Sequence, residues 1–79
     1  MEDERLRWQC RRGMLELDLM LQSFLARGYG DLDEIGRRAF ALLLDYPDPV
    51  LLDTLMGRMV PADPVVAHVV RQIRGAAHA

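Results

Sequence analysis

Glycine and proline residues divide this chain into short segments, and the segments between them carry apolar residues at helical spacing. The clearest pattern runs from about Met14 to Arg27. The stretch LELDL within it alternates as a strand would, but the alternation stops at Met20 and the run is too long for an ordinary strand. The segment is therefore predicted to be a helix. Its apolar residues follow the i, i+3, i+7, i+10, i+11 template of a buried helix face: Met14, Leu17, Leu21, Phe24 and Leu25.

Start signals place four more helices along the chain. A first helix is predicted from Asp3 to Arg12. Asp31 is predicted to cap the third helix, with Glu34, three residues later, completing a capping box. Aspartate followed by proline is typical of a helix start, because the first caps the helix and the second fits its first turn. This pair begins the fourth and fifth helices, at Asp48-Pro49 and Asp63-Pro64.

Stop signals follow the same segments. Gly28 and Gly30 come after the second helix, and the stretch YPDP ends the third, since proline disfavours helical geometry in the residue before it. Gly57 is predicted to terminate the fourth helix. The terminal stretch GAAHA is predicted to fray.

These signals predict an all-α fold: residues 1–79 form a single domain, a small bundle of about five short helices around one core. The third helix is expected to bury Leu32, Ile35, Ala39 and Leu42, with Phe40 and Leu43 widening this face. The fifth helix is expected to bury Val66, Val69, Val70 and Ile73. The residues predicted for the core are Leu17, Leu21, Phe24, Ile35, Leu42, Leu43, Leu52, Leu55, Val69 and Ile73.

Composition narrows the class of protein. With 51% hydrophobic residues the chain has enough for a core, which argues against disorder. No apolar run approaches the ~18 residues of a membrane span, so no membrane association is expected. The charged start MEDERLRWQC is unlike a signal or transit peptide. A single cysteine fits a reducing cytosol, so a cytoplasmic location is expected.

A catalytic or metal-binding function is not expected. Metal sites need three or four convergent ligands, whereas Cys10, His68 and His78 are few and scattered. His68 is interpreted as a surface or boundary residue. No spacing brings a histidine to Cys10, which is interpreted as a small buried hydrophobe. No phosphate-binding glycine loop or nucleophile elbow is present.

The junction between the first two helices is the most unusual feature. If the helix continued through Gly13, Arg12 and Glu16 would form an i, i+4 surface pair worth about 0.3–0.5 kcal/mol. Trp8 and Arg12 are also four apart, which would allow a cation–π contact. Glycine costs about 1 kcal/mol relative to alanine inside a helix. These residues alone leave an interaction site and a simple helix junction equally open.

The stretch WQCRRGMLELDLML resembles the signature of the succinate dehydrogenase flavinylation factors, small assembly proteins of bacteria and mitochondria. Their Arg-Gly-x-x-Glu motif is matched by Arg12, Gly13 and Glu16. The resemblance continues through Asp18, the segment LLLDYPDPVLLDTLM and the PAD before the last helix, so it covers nearly the whole chain. It implies a five-helix fold, as the spacing does.

The resemblance also implies a function: assistance in the covalent attachment of FAD to the flavoprotein subunit of succinate dehydrogenase, and of fumarate reductase as a further client. The chain would bind that subunit without holding FAD stably itself, would not be an enzyme, and would be a monomer when free. The hypothesis for Gly13 is that it allows the first two helices to meet closely and the partner's backbone to approach. The partner-binding residues implied by this reasoning are Trp8, Arg11, Arg12, Gly13, Glu16 and Asp18.

Two alternatives remain at this point. A helical nucleic-acid-binding module would use the arginines, but the net charge of −2 and the acids among them argue against it, so no nucleic-acid partner is expected. An antitoxin-like regulatory role is a label that some relatives have carried. No individual residue favours either alternative.

Overall fold

The chain forms five α-helices within residues 2–77, which are the residues that the computed structural model describes. A single turn of 3-10 helix, Tyr29–Asp31, links the second helix to the third. The all-α prediction is confirmed. The helices are α1 (Glu2–Gln9), α2 (Leu15–Arg27), α3 (Glu34–Leu44), α4 (Asp48–Leu55) and α5 (Pro64–Ala77).

Helix α5 holds the bundle together, since it packs against α2, α3 and α4. Its buried residues are Val66, Val69, Val70 and Ile73, which repeat at helical spacing as predicted. The low helix propensity of valine is outweighed here by the burial of an apolar face. Asp63 caps the helix, because its Oδ1 accepts hydrogen bonds from the backbone N–H groups of Val65 at 2.8 Å and Val66 at 3.4 Å.

Most of the predicted core is confirmed. Phe24 of α2 lies against Phe40 of α3, with ring centroids 5.3 Å apart, and the ring of Tyr29 also packs against Phe40, with centroids 5.4 Å apart. Such tilted aromatic pairs add to the free energy gained by burial. The predicted core residues that are buried are Leu17, Leu21, Phe24, Leu43, Leu55, Val69 and Ile73.

The predicted face of α3 was wrong at two positions. Ile35 is 62% exposed and Leu42 is 55% exposed, while Leu52 of α4 is only half-buried. Ile35 and Leu42 are seven residues apart and therefore share one side of the helix. The side that faces the core is centred instead on Gly36, Ala39, Phe40, Leu43 and Leu44.

Three predicted helix ends were also wrong. Helix α1 ends at Gln9 and not at Arg12. The cap of α3 is Asp33, whose Oδ1 accepts from the N–H of Gly36 at 2.8 Å, because Asp31 is taken up by the intervening 3-10 turn. The tail does not fray at once: α5 continues to Ala77. His78, also in that predicted tail, lies outside the described residues.

Other predicted ends agree with the structure. Gly57 follows α4 with a φ of +85°, a left-handed conformation that glycine adopts easily. Asp48 is the first residue of α4, one position from its predicted role as cap. None of the helices within residues 2–77 has the length and hydropathy that crossing a membrane would require.

Candidate functional site

Gly13 lies in the short connection between α1 and α2 and has a φ of +77°. Residues with a Cβ rarely adopt this backbone conformation, so the position requires glycine for its geometry. A Cβ built there would meet no other heavy atom within 4 Å. The chain itself therefore does not crowd Gly13, and the space beside it is open.

Asp18 holds this connection in place from the first turns of α2. Its Oδ1 accepts a hydrogen bond from the backbone N–H of Arg12 at 2.7 Å, and its Oδ2 accepts from the N–H of Gly13 at 3.2 Å. Hydrogen bonds from backbone N–H groups to a carboxylate are among the stronger ones in proteins. Half-buried Asp18 thus fixes the backbone of the Arg-Gly pair.

The guanidinium of Arg12 is engaged within the chain at three points. Its Nε donates to the carbonyl of Gln9 at 2.6 Å, its Nη1 to Oδ1 of Asp48 at 3.0 Å, and its Nη2 to the carbonyl of Leu44. The side chain is only 17% exposed. Arg12 therefore ties the α1–α2 connection to the corner between α3 and α4.

Both contacts predicted for Arg12 from spacing were wrong. The chain does not continue as a helix through Gly13, so Arg12 and Glu16 do not form an i, i+4 pair, and Arg12 pairs with Asp48 instead. It is Arg11, not Arg12, that lies over the ring of Trp8, at 5.6 Å from the centroid. The bend after α1 turns the two neighbouring arginines in different directions.

Glu16 faces outwards from the first turn of α2. It makes no ion pair with any side chain that the structure describes. Two leucines on the same helix are exposed beside it, Leu15 by 74% and Leu19 by 57%. They are four residues apart and share one side of α2. Glu16 and Leu19 also line a groove of about 420 Å³ that reaches Met56.

Trp8 is the other large exposed side chain near the connection, at 72% exposure. It lies in the last turn of α1 and stacks with exposed Arg11. Trp and Arg are the residue types most often found where binding energy concentrates in protein interfaces. The structure thus leaves Trp8, Arg11 and Glu16 exposed close to Gly13 in the chain, whereas Arg12 and Asp18 are partly buried.

The chemistry at Cys10 is that of a buried thiol. The residue is fully buried, as predicted. Burial raises the pKa of the Cys10 thiol from 9.0 to about 11, with Arg12 lowering it and Asp18 raising it by smaller amounts. A thiol in that state is a poor nucleophile. His68 is exposed, as predicted. The described part of the chain contains no group of three or more side chains suited to hold a metal ion.

Sequence reasoning did not find the residues that support Arg12. Asp48 is separated from Arg12 by 36 positions, and it was interpreted only as a helix-start residue. The acceptor at Leu44 is a backbone carbonyl, which every residue has, so the sequence does not distinguish it. The only hint was that Arg12 and Asp48 lie in the two stretches, WQCRRG and YPDP, where helix signals break down.

The sequence of this chain is similar to those of known proteins. A family described as flavinator of succinate dehydrogenase matches residues 4–77. A protein named FAD assembly factor SdhE from Shewanella oneidensis is 47% identical over 73 residues, covering 92% of this chain and 89% of that protein. Its namesake from Coxiella burnetii is 39% identical over 71 residues, covering 90% and 87%. The one from Legionella pneumophila strain Paris is 52% identical over 60 residues, or 76% of each chain. The chain therefore belongs to the family of succinate dehydrogenase flavinators.

Proposed function

We propose that this protein promotes the covalent attachment of FAD to the flavoprotein subunit of succinate dehydrogenase by binding that subunit. Membership of the flavinator family supports the reaction. The protein acts as an assembly factor and not as an enzyme, in keeping with the name that its relatives carry. Flavin attachment itself is then carried out within the subunit, which this protein holds in a competent conformation.

The observation that best supports a binding role is the surface around Gly13. Asp18 fixes the backbone here by accepting hydrogen bonds from the N–H groups of Arg12 and Gly13. A Cβ at Gly13 would nevertheless meet no heavy atom of the described chain within 4 Å. Because glycine has no side chain, another protein's backbone can approach closely at this position. Glu16, with no ion-pair partner among the described side chains, is available for a hydrogen-bond donor of the client.

The proposed client-binding residues are those predicted from the sequence, with two different tasks. Trp8, Arg11, Gly13 and Glu16 meet the client, whereas Arg12 and Asp18 hold the surface in shape. We further propose that FAD is not bound stably by this protein alone, that fumarate reductase is a second client, and that the protein works as a monomer in the bacterial cytoplasm.

A reconstituted reaction tests this proposal. The purified apo flavoprotein subunit of succinate dehydrogenase is incubated with FAD, with and without this protein, and covalent flavin is read as fluorescence of the denatured subunit in a gel. We expect the protein to increase the amount of covalent flavin formed in a given time. Equal flavin in both reactions, with the subunit folded and FAD in excess, would contradict the proposed function.

A further inference from the structure

A groove of about 320 Å³ lies between α1 and the C-terminal half of α2. Arg7 and Arg11 line it from one side, and Gln22, Leu25 and Ala26 from the other. Both arginines are exposed. The groove therefore combines two cationic groups with an apolar floor, next to the connection that carries Gly13.

These two arginines lack the ion pair that three other arginines form among the described side chains. Arg12, Arg38 and Arg58 each pair with an acid, at 2.9 to 3.0 Å. Among the side chains that the structure describes, none forms an ion pair with Arg7 or Arg11. The contact with Trp8 orients Arg11 but leaves its charge uncompensated. Two like charges that share one groove favour the approach of an anion.

We propose that this groove binds an acidic segment of the client flavoprotein subunit, with Arg7 and Arg11 pairing with its carboxylates and Leu25 and Ala26 contacting an apolar side chain. The inference rests on the proposed function. Guanidinium groups suit carboxylates because they donate two parallel hydrogen bonds. The volume lies at the lower end of the roughly 300–1,000 Å³ typical of ligand sites, which fits a few side chains better than a whole dinucleotide.

The two arginines also face a second depression. It is smaller, at about 150 Å³, and it is lined by Arg7, Trp8 and Arg11 together with one acid, Glu4. Arg11 stands two residues before Gly13, so the groove lies next to the α1–α2 connection along the chain. The groove thus extends the proposed client-binding surface from the α1–α2 connection along α1.

Charge reversal tests the proposal with a closely matched control. Arg37 lies over the ring of Tyr29 at 5.3 Å, much as Arg11 lies over Trp8, and Arg71 is an exposed arginine of α5. The variant Arg7→Glu/Arg11→Glu and the control Arg37→Glu/Arg71→Glu therefore change the net charge equally. Dissociation constants for the apo flavoprotein subunit are measured at low salt and at 1 M salt, beside thermal melting of each variant.

We expect Arg7→Glu/Arg11→Glu to weaken binding at least about tenfold at low salt, and the control to change it by less than about twofold. The difference should shrink at 1 M salt, where the screening length is about 3 Å. Equal affinity of both variants at low salt would overturn the inference while leaving the proposed function intact. Failure of the wild-type protein to bind the subunit would instead count against the proposed function.

A cross-link identifies the bound segment. The chain contains no lysine, so Arg7→Lys introduces the only side-chain amine while keeping the charge. A carbodiimide converts a carboxyl group of the client into an O-acylisourea. The amine attacks its acyl carbon, so that an amide bond forms and the urea leaves. Mass spectrometry should find an acidic client peptide joined to position 7 and none joined to position 37 in the matched Arg37→Lys variant. No client peptide at position 7 would contradict the proposal.

A final experiment tests whether the groove binds carboxylates or the phosphates of a dinucleotide. Free FAD is titrated into the wild-type protein and into Arg7→Glu/Arg11→Glu. We expect no difference between the two titrations. Binding of FAD to the wild type that is lost in the variant would show that the groove takes a dinucleotide, and would overturn the acidic segment as its occupant.

Discussion

At the scale of single residues, the Arg-Gly-x-x-Glu motif separates into residues that build a surface and residues that present it. The guanidinium of Arg12 donates hydrogen bonds to Gln9, Leu44 and Asp48, which all belong to the same chain. Glu16 faces outwards without an ion pair among the described side chains. Substitutions in the motif should therefore differ in kind, since some should lower stability and others only binding.

Gly13 meets the client in the proposed function, and its own backbone conformation also contributes to stability. Gly13→Ala should lower the free energy of unfolding by about 1–2 kcal/mol, because alanine is strained at a φ of +77° although its methyl group meets nothing. Gly13→Asn should lower it by less, since asparagine tolerates left-handed geometry better. Urea denaturation followed by circular dichroism measures both. Wild-type stability of Gly13→Ala would mean that the backbone relaxes at no cost.

Arg12→Lys should destabilise the protein by about 1 kcal/mol, although the charge is kept. A lysine ammonium cannot reach the carbonyls of Gln9 and Leu44 and the carboxylate of Asp48 with the geometry of a guanidinium. A double-mutant cycle between Arg12→Ala and Asp48→Ala should give a coupling free energy of about 0.5–1 kcal/mol. Strictly additive effects would show that the ion pair between Arg12 and Asp48 does not stabilise the protein.

The buried thiol predicts a dependence of stability on pH. The folded state holds the proton of Cys10 up to a pKa of about 11, whereas the unfolded thiol loses it near 9.0. The native state therefore binds more protons between these values, so stability should fall as pH rises from 9 to 11, by on the order of 2 kcal/mol. Denaturant titrations at several pH values measure this fall. It should be smaller in Cys10→Ala, and an equal fall in both proteins would assign it to other groups.

At the scale of helices, residue spacing predicted which segments are helical but not always which side faces the core. In α5 the residues Val66, Val69, Val70 and Ile73 repeat with a single phase, and their burial is as predicted. In α3 apolar residues occur on more than one side, so Ile35 and Leu42 fitted the pattern as well as Ala39 and Phe40 did. Only the neighbouring helices decide between such sides, and their positions are not encoded locally.

Helix ends follow the same rule. Two aspartates, Asp31 and Asp33, stand before α3, and a local pattern favours the one with a glutamate three residues later. The structure selects Asp33 because a 3-10 turn first occupies Tyr29–Asp31. For the candidate site, the motif residues were identified from the sequence, but the Arg12–Asp48 pair depends on a contact across 36 positions. A pattern of neighbouring residues cannot predict such a contact.

The cap of α3 gives a prediction at this scale. Asp33→Ala should lower the free energy of unfolding by about 1 kcal/mol, because the N–H of Gly36 loses its acceptor. Asp31→Ala is the matched control and should have a much smaller effect, since no hydrogen bond to its side chain is present in the described part of the chain. Thermal melting distinguishes the two. Equal losses would show that Asp31 shares the capping role.

At the scale of the whole molecule, the bundle serves as a rigid support for one surface. Helix α5 packs against α2 and α3, and Arg12 connects the α1–α2 connection to the α3–α4 corner. The exposed side chains of Trp8, Arg11 and Glu16 lie within the α1–α2 connection or close to it in the chain. A protein that acts by holding its client in one conformation needs such rigidity more than it needs reactive groups.

Covalent flavin on the flavoprotein subunit of succinate dehydrogenase, measured in bacterial cells that lack their own flavinylation factor, tests this view most directly. Each variant is expressed at the same level, and Glu34→Ala, which changes an exposed acid on α3, is the matched control for Glu16→Ala. The wild type and Glu34→Ala should restore covalent flavin, while Glu16→Ala should melt like the wild type and fail to restore it. Full restoration by Glu16→Ala would contradict the assignment of this surface to the client.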